Sequence, residues 1–207
     1  MHRSILLFLV LFSSCFSAKE LPFYSDSPKH QKAILKHQKE MNDWFSDPER
    51  SPMTAEDRSH FEGLDFFPIS EKYQIQAKLV RTPGEPQFEM PTTTDRLPVY
   101  QKFGELHFEL DGQAHKLNVY KSIGLTDREY RKYLFLPFRD KTSGVESYGG
   151  GRYLDLQIPK GDMIVIDFNR CYNPYCAYND KYSCPIPPVE NTLDIEILAG
   201  VKAFENH

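Results

Sequence analysis

Three short segments of this chain hold the residue types that do chemistry. The first is Tyr148-Gly149-Gly150-Gly151-Arg152. Consecutive glycines let a backbone take positive φ and come close to a ligand. Successive amides can cradle an anion, and an arginine can hold a carboxylate or phosphate through two parallel bonds. The run lacks the lysine and following Ser or Thr of a phosphate loop, so it does not read as a nucleotide site. It would serve equally as a tight turn before a strand, with Arg152 paired to a structural acid such as Asp155 or Asp167. The second segment carries Asp140 and Glu146 on one loop. Two carboxylates close together can divide the acid and base roles of a hydrolase when burial raises one pKa. Such acids also hold loops by accepting from backbone amides. Asn169, Asn173 and Asn191 can do the same. Ser143 and Ser147 have no strand-to-helix elbow around them, which argues against a serine nucleophile.

The third segment runs from Asp167 to Asn191 and contains Cys171, Cys176 and Cys184. It has no helical or strand periodicity, and a loop of this length is usually functional or crosslinked. A structural zinc takes four nitrogen or sulfur ligands. No histidine lies between Lys116 and Asn206, so no metal site is assigned. An odd cysteine count in an oxidising compartment points to one disulfide, Cys176 to Cys184, and a spare thiol at Cys171. A disulfide closing so short a loop contributes about 2–3 kcal/mol. Tyr172, Tyr175, Tyr178 and Tyr182 would either stack on a sugar or base or cover the mouth of a barrel.

The elements that position these segments follow from hydrophobic patterning. His2 and Arg3, an apolar run from Ile5 to Phe12 and small residues to Ala18 read as an export leader over residues 1–17. Cleavage after Ser17 is one reading. The other is a lipoprotein box at Phe12-Ser13-Ser14-Cys15, which would acylate Cys15. Residues 18–60 form a helical segment. Ser27 and Pro28 suit a helix start, and Ile34, Met41, Trp44 and Phe45 recur at helical spacing. His30 and His37 read as surface residues. A second short helix starts at Thr54 with a capping-box pattern.

Residues 61–207 form a β domain. Tyr73, Ile75, Ala77 and Leu79 alternate with polar residues as a half-buried strand should. A short strand is expected at Phe88 to Met90 and another over Tyr133 to Phe138. Asp111-Gly112 marks a hairpin between Glu105–Leu110 and His115–Tyr120. Pro159-Lys160-Gly161-Asp162 marks a second, between Tyr153–Ile158 and Met163–Phe168. Leu193, Ile195 and Ile197 predict a last strand. The fold class is therefore mainly β: an antiparallel barrel or sandwich of about eight strands with an N-terminal α-helix. The formal charge of −4 and the lack of a basic block argue against a nucleic-acid partner.

Four runs of residues resemble the bacterial domain-of-unknown-function 1684 family. They are Phe61-Glu62-Gly63-Leu64 with Phe66-Phe67-Pro68 and Met90-Pro91-Thr92-Thr93-Thr94; Leu134 to Gly144; Glu146 to Leu154; and Asp167-Phe168-Asn169-Arg170 through Cys184-Pro185-Ile186-Pro187-Pro188 to Asn191. The resemblance spans Lys29 to Phe204 and implies no reaction, substrate or cofactor. Cys171 stands where the family pattern has a small residue, and Val201 where it has an acid.

These readings converge on an exported protein, periplasmic, secreted or anchored to the envelope through a lipid on Cys15. At one rim it would hold a small anionic or polar ligand on Tyr148, Gly149, Gly150, Gly151, Arg152, Asn169 and Asn173. Two alternatives stand beside this one: a hydrolase using Asp140 and Glu146, and an envelope protein whose aromatic loop docks a partner.

Overall fold

The computed structural model describes residues 27–204; the expected leader and Cys15 lie outside them. Helix α1 (Pro28–Ser46) is followed by a short helix α2 (Ala55–Ser59) and seven strands. These are β1 (Gln74–Arg81), β2 (Gln87–Glu89), β3 (Val99–Leu110), β4 (Gln113–Ser122), β5 (Tyr133–Phe138), β6 (Arg152–Gln157) and β7 (Met163–Asp167). They form one antiparallel sheet in the order β6-β5-β4-β3-β1-β7, with β2 added beside β3. The sheet curls into a half-barrel around a core of alternate strand residues, such as Ile75, Ala77 and Leu79 of β1 and Leu134, Leu136 and Phe138 of β5.

The β3–β4 hairpin turns at Asp111-Gly112, as expected. Both residues have positive φ, 53° and 74°, which matches the right-handed twist of the flanking strands. The second expected hairpin does not form. β6 pairs with β5 and β7 pairs with β1, so the two strands are opposite edges of the sheet. The Pro159–Asp162 connection spreads rather than folding back. Ile158 N–H donates to the Lys132 carbonyl at one side, and the Asp162 carbonyl accepts from Leu79 N–H at the other. The outer edge of β6 is instead met by the long loop, where Tyr153 and Tyr172 exchange backbone bonds of 2.9 and 3.0 Å.

Helix α1 serves this open seam. Its buried residues are His30, Ile34 and Phe45. Phe45 packs edge-on against Tyr178 of the long loop at 4.6 Å between ring centroids. His30 corrects the surface reading: it is 8 % exposed and bonds Asp167 at the end of β7 at 2.9 Å.

The expected C-terminal strand is also corrected. Leu193 and Ile197 are buried as their alternation implied, but the segment joins no ladder. It is tied to the chain after β5 by one bridge, Thr192 to Arg139, with bonds from Arg139 N–H to Asn191 O, Leu193 N–H to Arg139 O and Lys141 N–H to Ile195 O. Three of its later carbonyls find their partner in a side chain: Arg152 donates to Ile197 O at 2.8 Å, Ala199 O at 2.6 Å and Val201 O at 3.4 Å. A buried carbonyl must be paired, and here one guanidinium does what a neighbouring strand would.

Candidate functional site

A cleft of about 700 Å³ opens where the C-terminal half of α1, strand β6 and the long loop meet. Its position follows from the open seam, because β6 has no strand beyond it to fill the space. Its walls are rich in aromatic rings, with Trp44 from α1, Tyr100 from β3, Tyr133 from β5 and Tyr172, Tyr175 and Tyr182 from the loop. Asp155 of β6 supplies a carboxylate among these rings. Alternation along β6 turns Leu154 and Leu156 into the core and Asp155 out of it. The Tyr133 and Tyr172 hydroxyls both donate to Asp155 Oδ1, each at 2.8 Å. Among the described residues Oδ2 accepts no hydrogen bond.

Burial, and then the nearby Asp155 charge, raises the pKa of both tyrosines well above the usual phenol value. They therefore remain donors at any physiological pH. Glu40 and Asp155 bring negative charge to the cleft, and Arg170 brings positive charge. His37 also lines it. Burial, reinforced by Arg170, lowers its pKa below 6.5, so it is neutral at pH 7. Its Nε2 has no hydrogen-bond partner among the described residues. A second cavity of about 720 Å³ lies along the seam between β6 and β7, by the N-terminal half of α1. It is lined by His30, Glu71, Gln74 and Asp167, and Gln74 and His30 both bond Asp167 Oδ2.

The residues singled out in the sequence lie mostly elsewhere. Arg152 is fully buried and forms an ion pair of 2.7 Å with Asp140. Its remaining bonds go to the Thr142 hydroxyl and to backbone carbonyls, so it holds the fold rather than facing a ligand. Asp140 accepts through Oδ1 from Thr142 N–H and Ile197 N–H as well. Both carboxylate oxygens are thus occupied, and Glu146 is exposed to solvent.

The glycine run folds as a tight turn. Gly151 has φ +91° and a Cβ there would meet the Phe138 carbonyl at 2.5 Å, while the Tyr148 ring lies against Gly150. Asn169 bonds both the N–H and the carbonyl of Ser70. Asn191 does the same to Asn118 and adds the Pro137 carbonyl. Asn173 donates to Lys202 O at 2.8 Å and is the ligand candidate that also lines the aromatic cleft.

Cys171, Cys176 and Cys184 are free thiols, so the expected Cys176–Cys184 disulfide is not present in this form. The two nevertheless lie together. Cys176 N–H donates to Cys184 Sγ at 3.2 Å. No group of three or more His, Cys, Asp or Glu residues among the described residues could hold a metal ion.

Sequence reasoning missed Tyr133, Tyr100, His37 and Arg170 as cleft residues, and named Asp155 as an arginine partner and as one of several strand-end acids that could form an acid/base pair. One signal was available. His30, Ile34, His37, Met41 and Phe45 recur at spacings of four, three, four and four, so both histidines sit on the inward stripe of α1.

Residues 59–202 match the family model described as "Protein of unknown function (DUF1684)". No curated protein matches the chain. Among solved structures, the solution NMR structure of an uncharacterized protein from Haloarcula marismortui is similar, with 34 % identity and a TM-score of 0.67. The match covers 86 % of this chain and 96 % of that one.

Proposed function

The chain belongs to the DUF1684 family of proteins of unknown function, and we propose that it binds a small, uncharged, hydroxyl-bearing ligand of the sugar class in the tyrosine-lined cleft. The observation that carries this reading is Asp155, held among aromatic rings by two tyrosine hydroxyls on one oxygen, with the other oxygen unbonded. A polar pocket group that is already oriented costs little to engage. Ligand hydroxyls donate to a carboxylate in a strong, charge-assisted bond, and the C–H faces of a sugar ring cover tyrosine faces. Asp155 and Glu40 outnumber Arg170 at the cleft, which favours a neutral ligand over an anionic one. Export, favoured by the basic, apolar and small-residue pattern of residues 2–18, is part of the same proposal; the mature N-terminus and any acyl group on Cys15 would be read by mass spectrometry of protein from its own host.

Calorimetric titration with a panel of neutral monosaccharides, each beside its phosphate ester, tests the choice of ligand class. Heat from a neutral sugar that weakens on adding the phosphate supports the reading. Tighter binding of the phosphate esters would overturn it.

A further inference from the structure

We propose that Cys176 and Cys184 form a reversible dithiol site that exchanges with small-molecule disulfides and, once oxidised, clamps the loop that makes one wall of the cleft. The site is built from two separately anchored turns. Cys176 lies in a 3-10 turn, Tyr175–Ala177, whose Ala177 N–H bonds the Pro174 carbonyl. Cys184 is fixed on the Thr92–Thr94 segment. Its N–H donates to Thr93 Oγ1 at 3.1 Å and its carbonyl accepts from Thr93 N–H at 3.0 Å. Between these anchors Cys184 Sγ sits 3.2 Å from the amide nitrogen of Cys176, which brings the two residues side by side.

The pair also has the features that make a thiol reactive. Both are buried, at 8 % and 7 % exposure, but Cys184 lines the cleft, which gives a small reagent its approach. The bond from Cys184, helped by one from Tyr148, lowers the Cys176 pKa to about 6. That of Cys184 is raised, since its proton is held by Cys176. Cys171 is the contrast. It is 1 % exposed, donates to Ala199 O at 3.4 Å, and has its pKa pushed up to about 11 by burial.

The exchange balances without a further reagent. The thiolate of the pair attacks one sulfur of the incoming disulfide, forms a mixed disulfide and releases the first thiolate. The second cysteine gives its proton to that leaving thiolate and attacks the protein sulfur of the mixed disulfide. A Cys176–Cys184 bond forms, and the second small thiolate leaves and takes a proton from water. Two protein thiols are oxidised and one disulfide is reduced to two thiols. The closed bond spans Tyr178, which packs on Phe45 of α1, and Tyr182, which lines the cleft.

The test equilibrates the protein in a series of reduced and oxidised glutathione mixtures, blocks free thiols with N-ethylmaleimide and maps the blocked residues by peptide mass spectrometry. Cys176 and Cys184 should lose the label together, with loss of two hydrogens, and regain it together at the reducing end. Cys171 should carry label throughout once the chain is unfolded for blocking. In Cys184→Ser the product should change to a glutathione adduct on Cys176. Labelling of both thiols at every ratio would overturn the proposal. So would a stable glutathione adduct on the wild-type protein, or a bond that stays closed at the reducing end.

Discussion

Arg152 and Asp140 form an ion pair of 2.7 Å in which both side chains are wholly inaccessible to solvent. Arg152 joins the pair to three carbonyls of the C-terminal segment and so ties residues 197–201 to β6. Removing one partner of a buried pair leaves an uncompensated charge, which costs about 3–5 kcal/mol. Arg152→Ala should lower unfolding free energy by that amount in urea titration. Arg152→Lys should recover little of it, since an ammonium cannot serve one carboxylate and several carbonyls in a planar fork. Amide exchange should speed up first over residues 192–203.

The glycine turn gives a paired prediction. Gly151 has φ +91°, and a methyl group there would lie 2.5 Å from the Phe138 carbonyl. Gly151→Ala should cost about 1–3 kcal/mol from the backbone conformation alone, and the clash adds to it. Gly149 has no such φ, and its nearest neighbour would be Gly144 Cα at 3.5 Å. Gly149→Ala should therefore stay within about 0.5 kcal/mol of the wild type. Thermal unfolding of the two variants side by side separates a packed turn from an open ligand cradle.

Acid should weaken the outer face of β3. Hydrogen bonds from Lys102, Lys116 and His107 pull the Glu105 pKa from 4.5 to about 2. The unfolded chain takes up this proton near pH 4.5, the folded one only near pH 2. The stability from this cluster is therefore complete above pH 4.5 and is lost as pH falls from 4.5 to about 2. Glu105→Gln should flatten the stability profile in that window, and added salt should shrink the difference between the two proteins. Urea titrations at a series of pH values read it directly.

Local signals were legible in the sequence and non-local ones were not. Asp111-Gly112 could be read because the turn type is decided by the two residues themselves. Pro159–Asp162 looked like the same kind of signal, yet β6 and β7 found other partners, since pairing across a sheet is decided by distant strands and by Tyr172 filling the β6 edge. Leu193 and Ile197 were read correctly as buried. Their strand was misread because the segment keeps one bridge to Arg139 and then passes its later carbonyls to an arginine side chain. The same arginine drew attention as a ligand group, since a motif shows which residues are near in sequence and not which are covered. The cleft itself combines α1, β3, β5, β6 and the long loop. No window of sequence holds Asp155, Tyr133 and Tyr172 together.

The most direct test of the account is NMR shift mapping of wild type, Asp155→Asn and Asp155→Ala during titration with the neutral monosaccharide that gives the strongest calorimetric signal. Shifts should be confined to cleft residues such as Trp44, Tyr100, Tyr133 and Tyr172. Binding should weaken in Asp155→Asn, which keeps an acceptor without the charge, and be lost in Asp155→Ala with the remaining spectrum preserved. Unchanged affinity in Asp155→Ala, or shifts centred on the Tyr148–Arg152 turn, would contradict it.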